Sequence, residues 1–305
     1  MIEQMKKIWM DGKLIDWDQA CVHVLTHTLH YGMGVFEGIR CYRCASGRSA
    51  VFRLEDHLDR LLSSAHIATI TIPFSKEELE EAVLLTLKAN DLEEGYIRPI
   101  AFIAESSMGV YPKDYKVRVA VAVWPWGAYL GEEGVRNGIR AKISSFTRHH
   151  VNVSMTKAKI CGNYANSFLA KKEAVDAGYD EAILLDTEGY VCEASGENIF
   201  IVRKRVLKTP PLASILPGVT RDAVLHIASD MDVRVVEERF TRDELYSADE
   251  AFLTGTAAEI TPIREVDGRK MGKNPPGEIT RSLRKRFFDI VRGKDERYLS
   301  WLTFL

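Results

Sequence analysis

A glycine-rich interruption, Pro125-Trp-Gly-Ala-Tyr-Leu-Gly-Glu-Glu-Gly134, is the feature that most limits how this chain can fold. It follows a strand-like run at 116–124 and breaks its pattern, so it reads as a connection between two folding units. The chain has 305 residues, a length that favours about two domains. The expected division is a small α/β domain over 1–124, a loop over 125–134 and a larger domain over 135–305.

Before the interruption, residues 7–15 predict two short strands around the Asp11-Gly12 turn, a strong hairpin signal. Residues 35–42 and 50–53 predict a second hairpin. Leu54, Leu58, Leu61, Leu62 and Ala65 recur at helical spacing and predict a helix to Ile67. Ser75 with Glu78 three residues on resembles a capping box, opening a helix to about Asn90. Strands follow at 96–104 and 116–124. After the interruption the pattern gives a strand at 138–146, a loop at 147–155 and a helix from about 163 to Ala177, stopped by Gly178. A hairpin at 180–193, a strand at 198–202 and helices at 220–230 and 277–292 complete it. The expected class is mixed α+β or α/β in two domains.

Composition removes several classes of function. The net charge of −2 and scattered basic residues favour neither nucleic acid nor an anionic membrane. No window nears the roughly 18 apolar residues of a membrane helix, and charges interrupt the N-terminal apolar stretches. Five cysteines, an odd number, suit reduced thiols in the cytoplasm. Cys41-x-x-Cys44 lacks a second pair, and His27 and His30 lack a third ligand, so no metal site is expected.

Five segments carry possible chemistry. Lys157-Ala-Lys159 precedes an apolar helix, where burial could provide the neutral amine that a Schiff-base lysine needs. If the segment is extended, both lysines point to one face, and spacing does not choose between them. Glu193-Ala-Ser-Gly196-Glu197-Asn198 joins an acid to small residues that let backbone approach a ligand. Leu216-Pro-Gly-Val-Thr220-Arg221-Asp222 runs from a turn into a helix, whose first N–H groups suit phosphate. Gly255-Thr256-Ala257-Ala258 can present N–H groups and a hydroxyl to an anion. Arg53, His57 and Arg60 share a helix face that could hold phosphate or meet solvent. Each signal is weak alone.

Together with Tyr31-Gly-Met-Gly-Val-Phe36-Glu37-Gly38-Ile-Arg40 and Tyr96-Ile-Arg98-Pro99, these segments resemble one family: the fold type IV aminotransferases dependent on pyridoxal 5′-phosphate (PLP), branched-chain subgroup. The matches span nearly the whole chain in the family's order. The resemblance implies a smaller α/β domain and a larger mixed-sheet domain with the cofactor between them. By its Lys-x-x-Gly-Asn-Tyr motif it selects Lys159 as the catalytic, cofactor-bearing lysine. It assigns Tyr164 to the phenolic oxygen, Glu193 to the pyridine nitrogen, and Arg60, Val219, Thr220 and Thr256 to the phosphate.

For substrate, the resemblance implies an apolar wall of Tyr31, Phe36, Val110, Trp126 and Tyr129, with Gly38 beside it. It places the α-carboxylate on the Tyr96 hydroxyl and the N–H groups of Ala257 and Ala258, counts Thr256 among the substrate-binding residues, and places the γ-carboxylate of glutamate on Arg98. The implied reaction is ping-pong transamination of L-leucine, L-isoleucine and L-valine with 2-oxoglutarate. At least a homodimer is implied. D-amino-acid aminotransferases and aminodeoxychorismate lyases share the fold and remain alternatives, as does a silent PLP-binding sensor. Two features depart from common family patterns: Cys161, where Gly is frequent, and the loop Arg148-His149-His150.

Overall fold

The computed structural model describes residues 2–127 and 129–305. Ala128, inside the expected connection, lies outside the described residues.

The first unit is built on an antiparallel sheet. Its strands are β1 (Lys7–Met10), β2 (Lys13–Asp16), β3 (Gly34–Phe36), β4 (Ile39–Arg43), β5 (Ser49–Phe52), β6 (Gly95–Ser106) and β7 (Tyr115–Trp124). Three helices accompany them: α1 (His27–Tyr31), α2 (Leu54–Ile67) and α3 (Lys76–Ala89). The Asp11-Gly12 turn has φ of 49° and 91°, the left-handed geometry expected of a tight hairpin. The capping box at Ser75 is complete, with both reciprocal hydrogen bonds formed. Leu58 and Leu61 of α2 and Leu79, Val83 and Leu87 of α3 pack into one core with Ile97, Val119, Val121 and Val123 of the sheet.

The expected strand over 35–42 is two strands. Both β3 and β4 pair with β6, and Glu37-Gly38 separates them. Pro99 lies in β6 opposite that gap. It has no N–H to give, and its carbonyl accepts the Glu37 N–H at 2.9 Å, so the interrupted ladder accommodates a proline in a central strand.

The second unit holds a mixed sheet. Its elements are α4 (Glu132–Asn137), β8 (Ile139–Ile143), α5 (Tyr164–Asp176), β9 (Glu181–Leu185), β10 (Val191–Ala194), β11 (Asn198–Arg203), β12 (Val206–Thr209), α6 (Val219–Asp230), β13 (Val235–Glu237), α7 (Arg242–Tyr246), β14 (Glu250–Gly255), β15 (Glu259–Val266) and α8 (Glu278–Val291). Strand order is β10-β9-β8-β15-β14-β11-β12-β13. β8 runs parallel to β9 and β15, and β12 parallel to β13. The helix α4 begins inside the stretch expected to be loop.

Compact units do not follow a single cut near residue 125. One comprises the chain up to Gly127 with Ala158–Asn163 and Ile290–Leu305; the other comprises Ala128–Lys157 and Tyr164–Asp289. This differs from the continuous 135–305 domain expected, and backbone pairing explains it. Val35 bridges Ile160 and the Phe36 N–H donates to the Lys159 carbonyl at 3.2 Å, which draws 158–163 into the first unit. Leu302–Phe304 adds an antiparallel strand to β5. No described helix is long and apolar enough to cross a membrane.

Candidate functional site

Local structure separates the two lysines that spacing left equivalent, and only Lys159 belongs to the first unit. Lys157 is exposed, whereas Lys159 is half-buried between buried Ala158 and Ile160. Its N–H donates to Ser64 Oγ of α2 at 3.0 Å, and its Nζ lies 5.1 Å from the centre of the Phe36 ring. Backbone pairing with β3 and a hydrogen bond to α2 thus fix the segment that presents this amine. Cys161 follows in the same segment, and burial pushes its thiol up to about 11.

Arg60 stands on α2 with His57, and this face does not simply meet solvent. The Glu37 carboxylate is fully buried. It accepts from Arg60 Nε and Nη2, both at 2.7 Å, and contacts His57 Nδ1 at 2.8 Å. Because an ionised carboxylate only accepts, Nδ1 carries the imidazole proton. Burial pushes the Glu37 carboxyl up, but the Arg60 charge and hydrogen bonds from His57 and Arg60 outweigh it and hold it well below the usual carboxylate range. Burial pushes the His57 imidazole down despite Glu37. Arg53 has a separate role: it precedes α2 in left-handed geometry, pairs with Asp56 and lies over Trp301.

Tyr96 and Arg98 share one face of β6 by strand alternation. The Tyr96 hydroxyl would lie 1.8 Å from a Cβ placed on Gly38, so only glycine leaves room for it. Trp126 meets Tyr96 edge-on at 4.7 Å, and Arg40 Nη2 donates to the Trp126 and Gly127 carbonyls. The Arg98 guanidinium sits 4.7, 5.4 and 5.7 Å from the rings of Phe36, Tyr96 and Trp124. Its Nε is buried with no hydrogen-bond partner, and Arg98 makes no ion pair among the described residues.

Tyr31 and Val110 are on the surface of this chain. Val110 is 82% exposed. Their surroundings are joined by His27, whose ring packs 4.6 Å from Tyr31 and whose Nε2 contacts the Gly109 carbonyl at 2.9 Å.

In the second unit, Glu193 lies on β10 at a register shift against β9 and is 4% exposed. Arg148 Nε lies 2.7 Å from Glu193 Oε1, a pairing that the sequence reading missed although it had singled out the Arg148 loop. Tyr164 opens α5 and is half-buried. Gly218 is the residue before α6, so Val219 and Thr220 form its first turn, and both are buried. The residue at the cap position is a glycine, which has no side chain to accept from the first N–H groups of the helix. Gly255 pairs with Glu259 across the end of β14 and β15, leaving Thr256, Ala257 and Ala258 as the turn. Tyr129 is 38% exposed, with Lys171 Nζ 5.5 Å from its ring. Among the described residues no cluster of His, Cys, Asp and Glu is arranged to hold a metal.

The first unit therefore offers a seated lysine, a clamped arginine and an aromatic-lined cation. The second offers a buried carboxylate, an uncapped helix start and a small-residue turn. Taken unit by unit, the amine of the first suits an aldehyde, and the carboxylate and helix start of the second suit a pyridine nitrogen and a phosphate. The chain belongs to the class IV amino-transferase family, whose family model matches residues 34–266. Within it, the branched-chain-amino-acid aminotransferase of Pseudomonas aeruginosa is 53% identical over 298 residues, covering 98% of this chain and 97% of that one. The crystal structure of the Escherichia coli branched-chain amino acid aminotransferase matches with a TM-score of 0.96 and 44% identity, over 98% of this chain and 99% of that one. The T.th. branched-chain amino acid aminotransferase, complexed with N-(5′-phosphopyridoxyl)-L-glutamate, matches with a TM-score of 0.95 and 45% identity, over 100% of this chain and 99% of that one.

Proposed function

We propose that this chain is a PLP-dependent branched-chain amino-acid aminotransferase. It moves the amino group of L-leucine, L-isoleucine or L-valine to 2-oxoglutarate, in two half-reactions, giving branched 2-oxo acids and L-glutamate. The observation that carries the substrate reading is Arg98, a cation held among aromatic rings without a carboxylate of its own. Such a group accommodates an apolar side chain against the rings and a second carboxylate on the guanidinium. The phosphopyridoxyl-L-glutamate complex of the relative supports the same dicarboxylate partner.

PLP, when bound, supplies an electron sink for the carbon that loses its proton. In this reading Lys159 is its covalent anchor and then the base and acid that moves the proton, a role typically worth about 10²–10⁴-fold. Glu193 holds the proton on the ring nitrogen, and Tyr164 donates to the phenolic oxygen. Arg60, Val219, Thr220 and Thr256 hold the phosphate. The buried Glu37 takes the Nε–Nη2 edge of Arg60, which fixes the orientation of the guanidinium. Tyr96, Thr256, Ala257 and Ala258 take the α-carboxylate. Phe36, Gly38, Trp126 and Tyr129 shape the side-chain pocket. The exposed apolar surface of Val24, Leu29, Tyr31, Met108, Val110 and Tyr111 supports contact with a second copy of the chain. Five free thiols support a reducing, cytoplasmic setting.

The test is stereochemical. Protein with PLP and 2-oxoglutarate is offered L-leucine or D-alanine, and the glutamate formed is assigned as L or D. L-Leucine turnover to L-glutamate is expected; D-alanine turnover to D-glutamate would exchange the two carboxylate sites. In separate half-reactions of the PLP-loaded protein with each amino donor, Arg98→Leu lowers turnover with glutamate more than with leucine. Equal loss with both would make Arg98 a packing residue.

A further inference from the structure

Asn198 opens β11 and is 4% exposed. Its side-chain Nδ2 lies 3.0 Å from the Leu216 carbonyl and 3.4 Å from Glu193 Oε2. The Leu216 N–H donates to the same Glu193 oxygen at 3.2 Å. Amide, carboxylate and peptide therefore close a ring of three contacts. The amide orientation is dictated by chemistry: turned over, its oxygen would face a carbonyl and a carboxylate, both acceptors.

The other end of the side chain also touches working backbone. Asn198 Oδ1 lies 2.0 Å from where a Cβ on Gly218 would stand, so the side chain lies directly against the turn that leads into α6. Along the ladder Asn198 opposes Thr254, whose neighbour Gly255 begins the second small-residue turn. The Thr254 hydroxyl is buried without a partner among the described residues.

We infer that Asn198 is a positioning residue that locks Glu193 and the Leu216–Thr220 turn into one rigid piece. This rests on the cofactor reading above. It adds that the ring-nitrogen end and the phosphate end are set together by one amide. Asn198→Asp keeps the shape but places an acceptor against two acceptors, which forces both ends to move.

The experiment uses the full chain freed of cofactor and two partial probes: pyridoxine, which has a ring but no phosphate, and inorganic phosphate. Asn198→Asp and Asn198→Ser are expected to weaken both probes about tenfold, the scale of one unsatisfied buried polar group. Glu193→Gln keeps an oxygen for the Leu216 N–H but turns its NH2 toward the Arg148 Nε–H, so it is expected to weaken pyridoxine more than phosphate. Asn198 variants that weaken one probe only, or neither, overturn the inference. A measurement on the unmutated chain removes dependence on variant folding. Inorganic phosphate should slow amide exchange in 191–198 as well as in 216–220, and protection confined to 216–220 overturns the coupling. If neither probe binds the unmutated chain, the cofactor reading itself fails. If both bind but without dependence on Asn198, only the positioning role fails.

Discussion

At Gly38 a missing side chain does the work. The Tyr96 hydroxyl occupies the volume that any Cβ would need, 1.8 Å from its ideal position. Gly38→Ala should displace that hydroxyl, and overpacking of this kind costs about 1–3 kcal/mol. The expected outcome is a raised KM for amino donors with the secondary structure intact by circular dichroism. An unchanged KM would remove Tyr96 from substrate binding. A second prediction concerns His149. Burial, then the neighbouring Arg148 charge, pushes its imidazole from the ordinary 6.5 down to about 4. In the unfolded chain the ring takes up a proton near 6.5, and in the fold it does not until about 4. The unfolded state thus binds more protons between these values, so stability falls as pH drops from 6.5 to 4. Denaturant midpoints at about pH 7 and about pH 5 should converge in His149→Gln relative to the unmutated chain. An equal drop in both would assign the acid sensitivity elsewhere, with buried His57 the next group to test.

At the scale of elements, local signals and local structure agree where neighbours in sequence are neighbours in space. The leucine spacing of α2, the Asp11-Gly12 turn and the Ser75 capping box are each complete within a single helix or a single hairpin. Ser75→Ala removes the hydroxyl that accepts the Glu78 N–H. It should cost about 0.5–2 kcal/mol, read as a lower midpoint in denaturant melts; no change would show that tertiary packing alone sets the start of α3. Sequence reading was less complete where a side chain finds its partner far along the chain. Arg148 carries no role in the sequence reading because Glu193 is distant in sequence, and Glu37, in the break between β3 and β4, finds its partner Arg60 on α2. Spacing could not choose Lys159 over Lys157, because alternation gives both the same face. In the fold the two differ: Lys159 is half-buried in a segment held by β3 and α2, and Lys157 is exposed.

At the scale of the whole chain, sequence order is a poor guide to membership. Residues 158–163 leave the second unit for the first, and the chain returns to the first from Ile290, at the end of α8. Neither excursion has a local signature, since each is specified by backbone pairing with strands far earlier in the chain. The final strand also covers the edge of β5, and an uncovered edge invites association between chains. Deleting residues 301–305 removes the Trp301 ring from Phe52 and Arg53 along with the strand itself. The shortened chain should melt earlier and scatter more light on heating. A melt unchanged in both respects would show that the terminal strand contributes nothing to closure of the sheet.

The ring cage around Arg98 has an optical consequence. Trp124 lies 5.7 Å from the guanidinium and 5.7 Å from Trp126, which in turn abuts Tyr96. An indole's emission colour follows the electric field across it, and under the proposed function the guanidinium beside Trp124 is the charge that an incoming dicarboxylate would neutralise. On that reading the arrival of glutamate, and its replacement by leucine, would shift the protein's own fluorescence, without label or cofactor absorbance.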